Sequence, residues 1–303
     1  MNSIFKSHGK LLITGEYFVL KGAKSLSIPT KFFQTLKIEN IKESKLIWVS
    51  YDKNNDPWIE ATFDLSNLKI LSTKNKETLF LKKLLCSAQK INSNFLKNNS
   101  GFKVVSTMNF ERSWGLGSSS TLINNISKWA NINPFKLHSL VSSGSGYDIA
   151  SAIANSPIIY ELINGEPKYH EITFDPIFHN NLFFIYINKK QKSEDEVDYF
   201  NTNVKVSEKT IKLISSITEK IVECKNLDSF QNLIVEHEKI LSTELKRKMI
   251  KTILFNDYIG EIKSLGAWGG DFVLAAGPNN SKEYFQKKGY KIVFSFKDIL
   301  KNS

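Results

Sequence analysis

The chain has 303 residues, 41% of them hydrophobic, and a net charge of +11 from 41 basic and 30 acidic side chains. This length can bury a sizeable core and predicts two lobes, and no apolar run reaches the roughly 20 residues of a membrane helix. The basic residues are spread along the chain with no nucleic-acid motif, which points to solvated faces, while two isolated cysteines (Cys86 and Cys224) and an N-terminus too short for a signal peptide before Gly9 predict a reduced, cytoplasmic protein.

The first third reads as β-rich, with strands at Lys10-Ile13, Leu36-Ile38, Leu46-Val49 and Trp58-Phe63 and a hairpin turn at Lys53-Pro57. A helix over Thr78-Ile91 carries Leu81, Leu84, Leu85 and Ala88 on one stripe. A strand follows at Phe102-Met108, then a glycine loop, then a helix from about Ser119 with Leu122, Ile123, Ile126, Trp129 and Ala130 at helical spacing. Asn133-Pro134 starts a short helix, Ile149-Ala154 reads as helical, and Pro157-Tyr160 and Leu182-Ile187 read as strands. Helices are expected near Ser207-Cys224, Ser229-Leu245 and Met249-Leu265. A strand at Phe272-Ala276, a helix at Ser281-Lys288 and a strand at Lys291-Ser295 close the chain, and the lobe boundary is expected near Glu161-Asp175.

The loop Trp114-Gly115-Leu116-Gly117-Ser118-Ser119-Ser120-Thr121 is the most informative stretch. Glycines let the backbone approach a ligand, the first amides of a helix lack partners and carry the positive end of its dipole, and serine hydroxyls gather at the same point. A polyphosphate with its magnesium ion needs this combination. The loop lacks the Gly-Lys-Ser/Thr of a P-loop and the third glycine of a dinucleotide fingerprint. The plainer reading is a serine-rich helix cap.

Two more segments bear on that choice: Gly9-Lys10-Leu11-Leu12-Ile13-Thr14-Gly15-Glu16-Tyr17 and Gly266-Ala267-Trp268-Gly269-Gly270-Asp271-Phe272. With the glycine loop they resemble the three signature motifs of the GHMP kinase family, in the family's order. Ser143-Gly144-Ser145-Gly146-Tyr147-Asp148 resembles the segment that carries its catalytic aspartate. The resemblance spans nearly the whole chain. It implies an α+β, two-lobed fold, with a ribosomal-protein-S5-like domain over 1–165, a ferredoxin-like domain over 166–303 and the site in the cleft. It also implies ATP and Mg2+ as cofactors and a small-molecule substrate, with no nucleic-acid or membrane partner, and leaves a homodimer open.

The resemblance gives Asp148 the role of base toward the acceptor, where the residues alone favour a helix cap. Lys10 would face that aspartate and stabilise the transferred group, where the plainer reading is a strand-edge lysine. Gly115, Leu116, Gly117, Ser118, Ser119 and Ser120 would hold ATP, with Ser119 the magnesium ligand. Glu16, Gly146 and Gly269 are candidate substrate contacts, although Glu16 equally suits a structural salt bridge. Asp271 reads as a strand-start cap, and His237 with Glu236 and Glu238 as a helix face.

Glu111 and Arg112 stand where the family usually has proline, Trp268 where it has glycine, and Leu137 where mevalonate kinases carry a magnesium-binding glutamate. The motifs lean toward the mevalonate-pathway kinases, with mevalonate and phosphomevalonate both open as acceptor. Homoserine or a sugar, or a binding protein that has lost catalysis, stand as alternatives.

Overall fold

The computed structural model describes residues 2–97, 100–189 and 193–301. Packing divides the chain into two compact units. The first holds the chain up to Gly9, Phe32–Arg112 and Leu116–Ile153; the second holds Lys10–Lys31, Ser113–Gly115 and the chain from Ala154 onward. The expected domains of 1–165 and 166–303 follow chain order, whereas the packing interleaves the chain and groups Lys10 and Gly115 with the C-terminal half.

Two strands supply residues to both units: β1 (Asn2–Leu12) and β2 (Ser25–Ile41). In the first unit, β3 (Lys45–Tyr51) pairs antiparallel with β4 (Pro57–Asp64) and parallel with β5 (Gly101–Met108), and Gln34–Ile41 of β2 pair antiparallel with β5. The turn between β3 and β4 closes as the sequence predicts: Asp52 Oδ1 accepts the amides of Asn54 and Asp56, and Asn55 takes the left-handed conformation this requires. The helices of this unit are α1 (Lys76–Ile91), α2 (Ser118–Ala130), α3 (Pro134–Val141) and α4 (Tyr147–Ile153). Leu81, Leu84 and Leu85 of α1 and Ile123 and Ile126 of α2 pack on Leu36, Ile38, Trp48, Phe63 and Val104. These residues share a core because strand alternation and helical spacing each put one apolar face inward.

The second unit begins where Ser25–Ser27 of β2 pair antiparallel with β6 (Ile158–Ile163), which pairs in turn with β7 (Glu166–Glu171). It continues through β8 (Leu182–Tyr186), α5 (Ser193–Asn203), α6 (Glu208–Glu223), α7 (Leu227–Leu245), α8 (Ile250–Leu254) and β9 (Glu261–Ser264). It ends with β10 (Phe272–Ala276), α9 (Ser281–Lys287), β11 (Val293–Ser295) and α10 (Phe296–Ile299). An antiparallel sheet in the order β11-β8-β10-β9 backs this unit. The fold is thus mixed α+β. No helix among the described residues is long and apolar enough to cross a membrane.

The helix expected over Met249-Leu265 is a correction. Only Ile250–Leu254 is helical; the chain turns through Asn256–Gly260 and re-enters the sheet as β9. Gly260 adopts φ +145°, and a Cβ there would lie 2.5 Å from the Ala276 carbonyl oxygen, so a side chain is excluded where the turn passes β10. Sheet pairing with Val273–Ala276 overrides the helix-like apolar spacing.

Candidate active site

In the first unit the glycine loop leads directly into α2. Gly117 occupies the cap position in the left-handed conformation (φ 88°) and supplies no side-chain cap. The serines are therefore inside the helix and do not cap it. Ser120 Oγ turns inward and donates to the Gly117 carbonyl at 2.9 Å. Ser118 is half-buried and Ser119 exposed, and neither hydroxyl makes a hydrogen bond among the described residues. The first amides of α2 have no intrahelical acceptor, because the i−4 ladder begins with Thr121 N–H to Gly117 O at 3.0 Å.

A buried polar network that the sequence did not disclose fixes the direction of α2. Thr121 Oγ1 donates to Gln34 Oε1 (2.6 Å), Gln34 Nε2 donates to Ser106 Oγ (2.8 Å), and Asn125 Nδ2 donates to the Gln34 carbonyl (3.0 Å). Asn124 Nδ2 donates to Ser7 Oγ (2.9 Å) and to the Ala152 carbonyl at the end of α4 (3.0 Å). Each of these side chains thus has a partner, and the glycine-loop helix is tied to β1, β2, β5 and α4. The only signal in the sequence was Asn124-Asn125 set inside an apolar helix face.

Asp148 lies half-buried in the first turn of α4, after Gly146 at φ 85°. Its Oδ1 accepts the Ile149 amide at 3.0 Å. Leu137, at the place of the absent glutamate, is fully buried in the core and offers no ligand. Glu111 pairs with Lys53 at 2.9 Å, and the Arg112 guanidinium stacks 3.8 Å over Trp58, so the departure from proline is filled by surface pairing.

In the second unit, Lys10 Nζ donates to the Gly115 carbonyl at 3.0 Å. Trp114 is buried against Tyr186, Phe272 and Phe294, and Tyr186 Oη donates to the Ser113 carbonyl at 3.1 Å. Asp271, itself at φ 47°, rests its carboxylate on Gly115, where a Cβ would lie 2.0 Å from Asp271 Oδ2. The structure thus gathers Lys10, Gly115 and Asp271. Asp271 also extends the β8–β10 pairing: its amide donates to Lys189 O (2.9 Å), and its carbonyl accepts Ile187 N–H (2.8 Å).

Glu16 is 2% exposed and forms a buried ion pair with Lys263. Burial raises its pKa against the pull of Lys263. Tyr17 donates to Glu196 Oε2 (3.1 Å) and accepts the Trp268 amide (2.7 Å); burial pushes its pKa up. Trp268, which replaces a glycine of the family pattern, anchors its loop among Tyr17, Phe18, Phe200 and Leu241. Gly269, at φ 69°, turns the same loop. His237 and Glu238 are buried, and only Glu236 of the expected helix face is exposed.

No protein-family model and no curated protein matches the chain. Among solved structures it is similar to Methanococcus jannaschii mevalonate kinase, at 18% identity over 97% of each chain with a TM-score of 0.71. It is also similar to Streptococcus pneumoniae phosphomevalonate kinase in complex with phosphomevalonate and AMPPNP, at 16% identity over 97% of this chain and 99% of that one, with a TM-score of 0.71. The chain has the GHMP kinase fold. That fold also covers Lactococcus lactis galactokinase complexed with galactose, at 14% identity over 99% of this chain and 93% of that one, with a TM-score of 0.65. The GHMP kinase fold therefore accounts for nearly every residue here, while it houses acceptors as different as an anionic phosphate ester and a neutral sugar.

Proposed function

We infer that the protein is an ATP-dependent small-molecule kinase acting on mevalonate or phosphomevalonate. The observation that carries the reading is the start of α2: a left-handed glycine at the cap, helix amides without intrahelical acceptors, and the Ser118 and Ser119 hydroxyls unengaged. The donor set fits a phosphate chain, since backbone amides and hydroxyls are its usual partners at a helix N-terminus. Bound with ATP, Mg2+ would neutralise phosphate charge. Ser119 would hold it, and no cluster of three or more acidic, His or Cys side chains among the described residues suggests another metal site.

In this reading Asp148 accepts the proton of the acceptor hydroxyl as its oxygen bonds to the γ-phosphorus and the bond to the β–γ bridging oxygen breaks. Lys10 stabilises the charge that develops on the transferred group. Gly146 and Gly269 are assigned to the acceptor side, and Glu16, the third candidate, is left to the structural salt bridge it also suited, since it is buried against Lys263. The buried Leu137 favours a second reading, a nucleotide-binding protein without turnover. ATP consumption is measured with mevalonate, phosphomevalonate, homoserine and galactose in turn. Turnover with either of the first two supports the assignment; ATP binding without turnover of any acceptor overturns it in favour of the binding protein.

A further inference from the structure

The second unit encloses an ionic core that the proposed chemistry does not use. Glu16, from the loop after β1, pairs with Lys263 of β9, and both side chains are at most 2% exposed. Lys263 Nζ also donates to the Ser264 carbonyl at 2.9 Å. Glu238 of α7 accepts Ser264 Oγ–H at 2.7 Å and the Ser264 amide at 3.3 Å. His237, the preceding residue of α7, accepts the Gly15 amide on Nε2 at 2.9 Å, which places the ring proton of the neutral imidazole on Nδ1. Glu16 Oε2 stands 3.5 Å from the same Nε2. The Gly266 amide, at the start of the third glycine segment, also faces the Glu16 carboxylate.

One helix thus grips both glycine segments at their backbones, His237 at Gly15 and Glu238 through Ser264. Lys263 pairs directly with Glu16 and acts on the second buried carboxylate, Glu238, only through its field, a costly arrangement to bury. Hydrophobic residues would hold these segments together at lower cost, but with less directional control. Directional control matters at the near end of the loop, where Gly266 is at φ 68° with nothing within 4 Å of its Cβ position, while Trp268 anchors the middle in the core. The far end of the same loop is Asp271, which rests against Gly115.

We propose that Glu16, Lys263, His237 and Glu238 form an ionic clasp whose task is positioning: it holds the Gly266–Gly270 loop in register with the first motif, so that Asp271 seats against the loop carbonyl unit that Lys10 binds. None of the four is a catalytic residue. The consequence for turnover rests on the kinase reading; the clasp itself does not.

The test is amide hydrogen exchange on the full chain, read over 13–19 and 264–272, with kcat and KM for ATP measured on the same preparations. The paired substitution Glu16→Gln with Lys263→Met removes both partners, so neither is left as an orphan charge. Exchange over 264–272 is expected to rise about 10-fold or more while β3–β5 peptides are unchanged, because the opening is local. For a positioning role, kcat falls with little change in KM for ATP. Glu16→Asp keeps the charge and shortens the reach, and it serves as the reading if the paired variant does not fold. Exchange over 264–272 equal to wild type in the folded variants overturns the clasp. If wild-type protein consumes no ATP, the kinase reading fails, and the exchange result still decides the clasp.

Discussion

Lys10 Nζ donates to the carbonyl of Gly115, 105 residues away, at 3.0 Å. The first motif therefore grips the second through one side-chain to backbone hydrogen bond. If Lys10 and Asp148 serve one phosphoryl transfer, Lys10→Met and Asp148→Asn will each lower kcat/KM, and the double variant will lose much less than the sum of the two in free energy. Strict additivity in a four-corner comparison of kcat/KM would show that they act separately.

Gly115 is glycine for two reasons, its φ of +63° and the Asp271 carboxylate on its open face. Gly115→Ala is expected to destabilise the chain by about 2 kcal/mol or more, combining left-handed strain and overlap. Replacing Asp271 by glycine removes the overlap but leaves the strain at position 115. Urea unfolding of both singles and the double should then show a favourable coupling, with Gly115→Ala costing less in the Asp271→Gly background. An equal cost in both backgrounds would mean that the carboxylate is not the obstacle.

Ser119 is exposed and makes no hydrogen bond among the described residues, so Ser119→Ala should change stability by no more than about 0.5 kcal/mol. Its effect should fall on magnesium-dependent turnover instead, with a higher Mg2+ requirement at fixed ATP. Unchanged metal dependence, read from kcat/KM across a Mg2+ titration, would remove Ser119 as a ligand.

Burial pushes the Glu238 carboxyl up from 4.5 to about 7, partly offset by Lys263 and by the Ser264 hydroxyl. Above pH 4.5 the unfolded chain releases this proton while the folded chain retains it to about 7. The contribution of Glu238 to stability therefore falls as pH rises through that window, by about 3 kcal/mol in all. Glu16 is raised in the same sense, whereas buried His237, held well below its ordinary value, penalises the fold as pH drops below about 6.5. The diagnostic is therefore the difference between wild type and Glu238→Gln. The variant should gain stability relative to wild type as pH rises from 5 to 8 in urea unfolding. A pH-independent difference would exclude Glu238 as the titrating group.

The glycine loop and α2 were legible because their signals are local: glycines, serines and a 3.6-residue apolar period starting at Leu122. The same holds for Asn133-Pro134, whose cap the Asn133 side chain makes to the amides of Phe135 and Lys136. The polar ties were not legible. Glu16, His237, Glu238 and Lys263 come from three distant segments, and only the fold makes partners of them. The polar strand β7 and helix α5 have no apolar period to read, since β7 is held by its pairing with β6. Asp271 reads as a strand-start cap and directly precedes β10; its contact with Gly115 required the third dimension.

Asp148 can decide the acceptor. An alcohol such as the C5 hydroxyl of mevalonate has a very high pKa and gains from a base as its oxygen attacks. Phosphomevalonate presents a phosphate that is already largely dianionic at neutral pH, its second pKa lying near 6. It needs positive charge more than it needs a base. Asp148→Asn keeps the side-chain oxygen that accepts the Ile149 amide, so the start of α4 should survive the change. For an alcohol acceptor, its loss should cost roughly 3–5 kcal/mol in kcat/KM, the size of a general-base contribution of about 10²–10⁴-fold. For a phosphate acceptor the cost should be much smaller, whereas Lys10→Met should hurt with either. The measurement is kcat/KM of wild type and both variants with each purified acceptor. An alcohol substrate turned over equally well by Asp148→Asn would remove Asp148 as the base, and the proton would then have to leave by another group.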